Sequence, residues 1–153
     1  MRKTGRTAIN KKDAIICALL IALTVTFIWN FRFVRVEGES MEPTLSDGQL
    51  LVTTTHTSDL NRNDIVVFRY EDQRCVKRVM AVGGDTVRLE DGKIYINQIA
   101  YNDYVYDGEA KSYTLSANEI FVLGDNTRNS LDSRSFGPIR LEQIQFKYLF
   151  ALF

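Results

Sequence analysis

Thr86-Val87-Arg88-Leu89-Glu90-Asp91-Gly92-Lys93-Ile94-Tyr95-Ile96-Asn97 is the stretch from which the fold is read first. Apolar and polar residues alternate on both sides of Asp91-Gly92, a pair that accepts the positive φ angles of a type I′ turn, so the segment predicts a tight hairpin. The same short, β-branched, period-two pattern recurs around it. Residues 49–53, 64–70 and 74–82 upstream and 119–123 downstream read as strands, with Arg62-Asn63 and Glu71-Asp72-Gln73 as turns. Residues 145–153 read as a closing strand or a docked terminus. Residues 102–116 are polar, Tyr-rich and irregular, and are expected to be a surface excursion whose Tyr101, Tyr104, Tyr106 and Tyr113 pack a loop onto a sheet. A chain of 153 residues holds one domain with a real core, and the strand pattern makes it mainly β.

Ahead of the strands, residues 14–29 (AIICALLIALTVTFIW) carry no charge, and Asn30-Phe31 extend the run to eighteen residues before Arg32. That is near the length of about 20 needed to span a bilayer. A cleaved secretory leader is the competing reading, but such leaders end in small residues, whereas this run ends in Trp29, Asn30, Phe31, Arg32 and Phe33. Interfacial aromatics favour a retained anchor. Arg2, Lys3, Arg6, Lys11 and Lys12 against Asp13 give the first thirteen residues a charge of +4 within a chain of zero net charge. A basic tail beside an apolar run suits a phospholipid membrane surface, and no basic stripe follows that would suit nucleic acid. The expected organisation is a cytoplasmic basic tail (1–13), a transmembrane anchor (14–31) and an extracytoplasmic domain (32–153).

The chemistry centres on Gly38-Glu39-Ser40-Met41-Glu42-Pro43-Thr44-Leu45. A flexible Gly and a Pro that drives Glu42 out of helical geometry imply a bent, held turn presenting the Ser40 hydroxyl, although a plain loop entering a strand fits the same letters. A serine hydroxyl needs a base. His56, the one histidine, lies in a Thr-rich stretch and reads as a surface residue; Cys17 and Cys75 sit too far apart in the chain to suggest a disulfide, so neither a zinc site nor a Ser-His-Asp triad is expected. Lys77 is the candidate, because 75–82 is otherwise an apolar strand and Lys77 shares a face with Val79 and Ala81. Burial would lower its pKa and make it a base, while a lysine snorkelling from a sheet edge is the plainer alternative. In the polar stretch 124–138, a second hydroxyl near the lysine could orient its amine, and Asp132 with Arg134 could brace the turn.

GESMEPTL, NDIVVF, VKRVMAVGGD and GDNTRNSLDSRSFGP, in this order after an apolar segment, closely resemble the blocks of type I signal peptidases, family S26. The resemblance covers most of 34–138 and leaves out 102–116. It implies coiled antiparallel β-sheets, Ser40 as nucleophile, Lys77 as general base, Ser130 as the hydroxyl orienting Lys77, and Asp132 with Arg134 as a structural pair. It also implies that Val34, Val36, Met41, Leu45 and Val76 line shallow sites for small side chains, such as Ala at −1 and −3 of a signal peptide, bound by strand addition. No metal or cofactor is implied. The short interval between Asp85 and Gly124 looks like the compact Gram-positive form, and lysine rather than histidine at 77 departs from the endoplasmic reticulum branch. Gly38 stands where many Gram-negative members have a serine that lends an oxyanion donor, so backbone N–H groups, that of Ser40 included, must serve. Gly83 replaces a frequent proline, and Thr127-Arg128 replaces the usual start of the last block. The rival expectations are a processing peptidase dedicated to one secretion or pilus system, a self-cleaving relative of the Ser-Lys repressors, which the anchor disfavours, and a non-catalytic assembly factor.

Overall fold

The computed structural model describes residues 10–152. Helix α1 (Lys11–Asn30) leads into β1 (Phe31–Arg35), followed by β2 (Leu50–Thr54), β3 (Ile65–Tyr70), β4 (Gln73–Ala81), β5 (Thr86–Glu90), β6 (Lys93–Ile96), β7 (Ile99–Tyr101), β8 (Lys111–Thr114) and β9 (Glu119–Leu123). A one-turn helix α2 (Ser133–Phe136), β10 (Ile139–Arg140), a 3-10 turn (Leu141–Gln143) and β11 (Ile144–Leu152) complete the chain. Residues 1–9 of the basic tail lie outside the described residues.

Helix α1 begins at Asn10, whose side chain accepts from the Lys12 N–H, and it buries none of its residues against the rest of the protein. It is long and apolar enough to cross a membrane. Its two threonines return their hydroxyls to the carbonyls of Leu20 and Ala22, which satisfies them without water. Phe31, expected at the end of the anchor, instead opens β1, because its N–H closes the helix on Phe27 and its side of the chain pairs with Thr54.

All strand pairs are antiparallel, in a seven-stranded sheet ordered β1-β2-β11-β3-β4-β9-β10 and a four-stranded sheet ordered β7-β6-β5-β8. Val34, Leu51, Ile65, Val67 and Val76 come from β1 to β4, yet they meet in one buried cluster that Phe146, Tyr148 and Ala151 of β11 close. The larger sheet therefore curls on itself around that cluster. β3 is buried on both faces: Ile65 and Val67 point into the curl, while Val66 and Phe68 join Val79, Ile120 and Val122 on the outside. β9 alternates likewise, sending Phe121 and Leu123 toward Val87, Leu89, Ile94 and Ile96 of the small sheet. The expected hairpin is β5-β6, with Asp91 and Gly92 at φ 51° and 75°.

The segment 102–116 is not the irregular excursion expected from its polarity. β8 within it pairs with β5, and Tyr106 and Leu115 are buried in the small sheet's core, with Tyr101, Tyr104 and Tyr113 packed against it. β7 was also not anticipated. At Gly83 the backbone of Ser116 and Ala117 approaches so closely that a Cβ would lie 2.7 Å from the Ala117 Cα, which explains a residue without a side chain in that turn.

Candidate active site

After β1 the chain turns at Gly38, whose φ is +85° and whose N–H donates to Asp47 Oδ1 at 2.8 Å. Gly38 thus serves the turn, and its own N–H is committed. The turn is closed by the Glu42 and Leu45 N–H groups donating to the Glu39 and Met41 carbonyls, the Glu42–Pro43 bond is cis, and Met41 and Leu45 are rooted in the curl's core.

A second contact fixes Ser40 from the far end of the sequence. The Asn126 N–H donates to the Ser40 carbonyl at 3.0 Å and its side-chain amide to the Glu39 carbonyl at 3.1 Å. The C=O and N–H of a trans peptide point opposite ways. Holding the Glu39 carbonyl therefore turns the Ser40 N–H away from Asn126, and that N–H has no acceptor among the described residues. Gly124 lies directly under this arrangement, where a Cβ would come within 2.5 Å of the Ser40 carbonyl and closer still to Ser130 Oγ.

Lys77 lies opposite Val66 in the β3-β4 ladder and is only 5 % exposed. Its Nζ donates to Ser40 Oγ at 2.6 Å. Burial pushes its pKa below the ordinary lysine value; Cys75, Asp132 and Asp125 resist the shift and Arg134 adds to it. Burial thus disfavours the charged form of an amine that is in contact with a hydroxyl. The same burial raises the half-buried Cys75 thiol, and Lys77 opposes it.

The next residue, Arg78, was not singled out by the sequence. Its guanidinium makes a two-pronged ion pair with Asp125 at 2.8 and 2.5 Å and also reaches the Asn63 carbonyl and Thr44 Oγ1. Three separate blocks of sequence meet at this one cation. A charged residue in an otherwise apolar strand, with an aspartate in Gly-Asp-Asn still unassigned, was the available signal.

Asp132 and Arg134 do form the expected pair. Arg134 Nε and Nη2 donate to the two carboxylate oxygens at 2.9 and 2.8 Å, Asp132 also accepts from the Gly124 N–H, and Arg134 Nη1 bonds the Val105 and Thr127 carbonyls. Ser130 departs from expectation. Its Oγ is buried without a partner among the described residues and makes no bond to Lys77, because it packs against Gly124 while the amine is turned to Ser40.

Ser40 and Lys77 open into a groove of about 670 Å³ with Val34, Val36, Met41 and Val76 along its apolar side. Leu45 does not reach it; fully buried in the same cluster, it supports the wall from behind. Both flanks of the groove are open strand edges: β1 ends the larger sheet, and β4 pairs with β9 only from Arg78 onward. His56 is exposed beside Ser58 and Asp59, both cysteines are free, and no cluster of metal-ligand residues occurs among the described residues.

A family model described as "Signal peptidase, peptidase S26" matches residues 8–153, from before the anchor helix through the last strand. The chain belongs to the S26 signal peptidase family. Signal peptidase I of Bacillus amyloliquefaciens is 34 % identical over 99 % of this chain and 95 % of its own length. Signal peptidase I of Streptococcus pneumoniae is 32 % identical, with 87 % of this chain and 86 % of that protein covered. A crystal structure of a signal peptidase I from Enterococcus faecalis aligns with a TM-score of 0.47 at 26 % identity, covering 58 % of this chain and 96 % of that one. Family membership makes peptide hydrolysis the chemistry to assign to a groove with a serine and a buried lysine at its end.

Proposed function

We propose that the protein is a membrane-anchored serine endopeptidase that removes signal peptides from exported preproteins, with Ser40 as nucleophile and Lys77 as general base. The observation that carries it is the 2.6 Å contact between the Ser40 hydroxyl and a buried amine whose charged form is disfavoured. Neutral Lys77 takes the Ser40 proton as Oγ attacks the carbonyl of residue −1, and the resulting ammonium gives that proton to the departing amine. Water then releases the acyl chain by the same two steps. The unoccupied Ser40 N–H stabilises the oxyanion, a role for which one donor is worth roughly 3–4 kcal/mol. The hydroxyl of Ser130, orphaned beside the same turn, is assigned to holding the protonated amine. Nothing in these steps calls for a metal or cofactor.

The signal peptide is read as an extended strand between the open edges of β1 and β4, its −1 and −3 side chains toward Val34, Val36, Met41 and Val76. Apolar walls built from buried valines and a methionine favour small side chains such as Ala at both positions. The basic residues ahead of α1 put the N-terminus in the cytoplasm and the β domain outside. A non-catalytic assembly factor would have no use for a buried lysine held against a serine. Full-length protein in detergent, incubated with a preprotein, should yield the mature product, and Ser40→Ala should yield none; uncleaved precursor in both reactions would sink the peptidase reading.

A further inference from the structure

Residues 127–131 form a ridge with a cavity on each side. Asn129 and Leu131 line the catalytic groove, whereas Thr127, Arg128 and Ser130 line a second cavity of about 640 Å³. Its far wall is 105–109, a segment held in place rather than loose: Tyr106 is buried and donates its hydroxyl to the Glu109 carbonyl, and Arg134 bridges Val105 on one wall to Thr127 on the other. Neither the chemistry above nor the sequence blocks that resemble the family account for this wall.

Resting on the peptidase reading, we infer that this second cavity receives the residues just after the cleaved bond, about +2 to +4 of the mature chain, as an extended polypeptide. Direction is the first argument. β1 follows directly on α1, and Val34 near its end and Val36 just past it precede Ser40 in the chain and line the same groove, so a signal peptide leaving the membrane beside β1 arrives at Ser40 from that side. Asn129 and Leu131, the near slope of the ridge, line the groove with Ser40. An extended chain advances about 3.3 Å per residue, so three or four residues cover roughly 10–13 Å, enough to cross one layer of chain. Proximity is the second. Ser130, which lines the far cavity, and the Ser40 carbonyl abut the same point above Gly124. Chemistry is the third: Arg128, Lys111, Asp107 and Glu109 all line the cavity, and none of the four has an ion-pair partner among the described residues. Such walls suit a hydrated peptide backbone with mixed side chains and reject an acyl chain.

The test uses the full-length protein in detergent and two fluorogenic peptides identical up to −1, one ending at +1 and the other at +5. kcat/KM should be on the order of tenfold higher for the longer peptide, the equivalent of about 1.4 kcal/mol of remote contact. Asp107→Trp, filling the cavity from its exposed wall, and Arg128→Trp, filling it from the ridge, should each bring that ratio close to one, with cleavage of the short peptide reporting that the variant is folded. Equal rates for the two peptides in the unmodified protein, or a ratio that survives both fillings, would overturn the assignment. If neither peptide is cut by the unmodified protein, the peptidase reading fails and takes this one with it.

Discussion

Lys77 carries a cost for the fold that its chemistry requires. Burial holds its folded pKa below the unfolded value of about 10.4, so between the two the unfolded chain binds more protons and stability rises with pH. Below the folded pKa the penalty is fully present. Lys77→Met, similar in bulk and without charge, should therefore melt higher than the natural protein at neutral pH, with the difference vanishing above about pH 10.4; thermal unfolding across a pH series measures it. Catalysis follows the same titration with the opposite demand, so kcat/KM should climb with pH through the lowered pKa and then level. Lys77→Arg keeps the charge, does not deprotonate, and should be as inactive as Ser40→Ala. Substantial cleavage by Lys77→Arg would make Lys77 a bystander. Asn126 acts one step away, as a positioning residue. Asn126→Asp keeps the backbone bond to the Ser40 carbonyl but sets a carboxylate against the Glu39 carbonyl, which frees that peptide to rotate. The expected result is a fall in kcat of tenfold or more with KM little changed and weaker capture of a peptide aldehyde, whereas a merely structural role would lower the melting temperature and leave aldehyde capture in proportion to substrate binding.

The strands of the curl were legible because burial on both faces writes an unbroken apolar run, as in Ile65-Val66-Val67-Phe68, and Asp91-Gly92 names its own turn. β8 was not. Lys111-Ser112-Tyr113-Thr114 is four residues long and mostly solvent-facing, and its partner β5 lies more than twenty residues upstream, so no local pattern distinguishes it from a loop. Leu115, at its end, separates the two views. In a surface excursion, Leu115→Ala would change stability by about 0.5 kcal/mol or less, but packed in the small sheet's core it should cost about 2–5 kcal/mol by urea unfolding. Ser40 and Lys77 stood out as polar residues in places that need a reason. The depth of Leu45, the rotamer of Ser130 and the Arg78–Asp125 pair depend on how distant segments stack, which spacing does not encode. Along the groove wall, Val36 is buried yet lines the site, so Val36→Phe has no free volume to enter but the groove. Its preference at −1 and −3 should shift from Ala toward Gly across a panel of substrate variants; an unchanged preference would remove Val36 from the site.

At the scale of the whole molecule, the anchor and the site are joined almost without slack: α1 ends at Asn30, β1 starts at Phe31, and Ser40 follows within ten residues of the helix. A bond presented close to the membrane is the one such a site can reach, so orientation decides which compartment's proteins it processes. The native cysteines report this poorly. Cys17 is within the apolar helix, and the Cys75 thiol is half-buried with its pKa raised, leaving little reactive thiolate near neutral pH. Lys93→Cys puts a thiol on the exposed tip of the β5-β6 hairpin, far along the chain from serine and lysine, and Lys12→Cys puts one at the start of α1. With the basic end in the cytoplasm, a membrane-impermeant maleimide should label Lys93→Cys in intact cells, and Lys12→Cys only once the cells are opened. The reverse pattern would turn the protein over in the membrane and place its site on the cytoplasmic side, where a preprotein has not yet crossed.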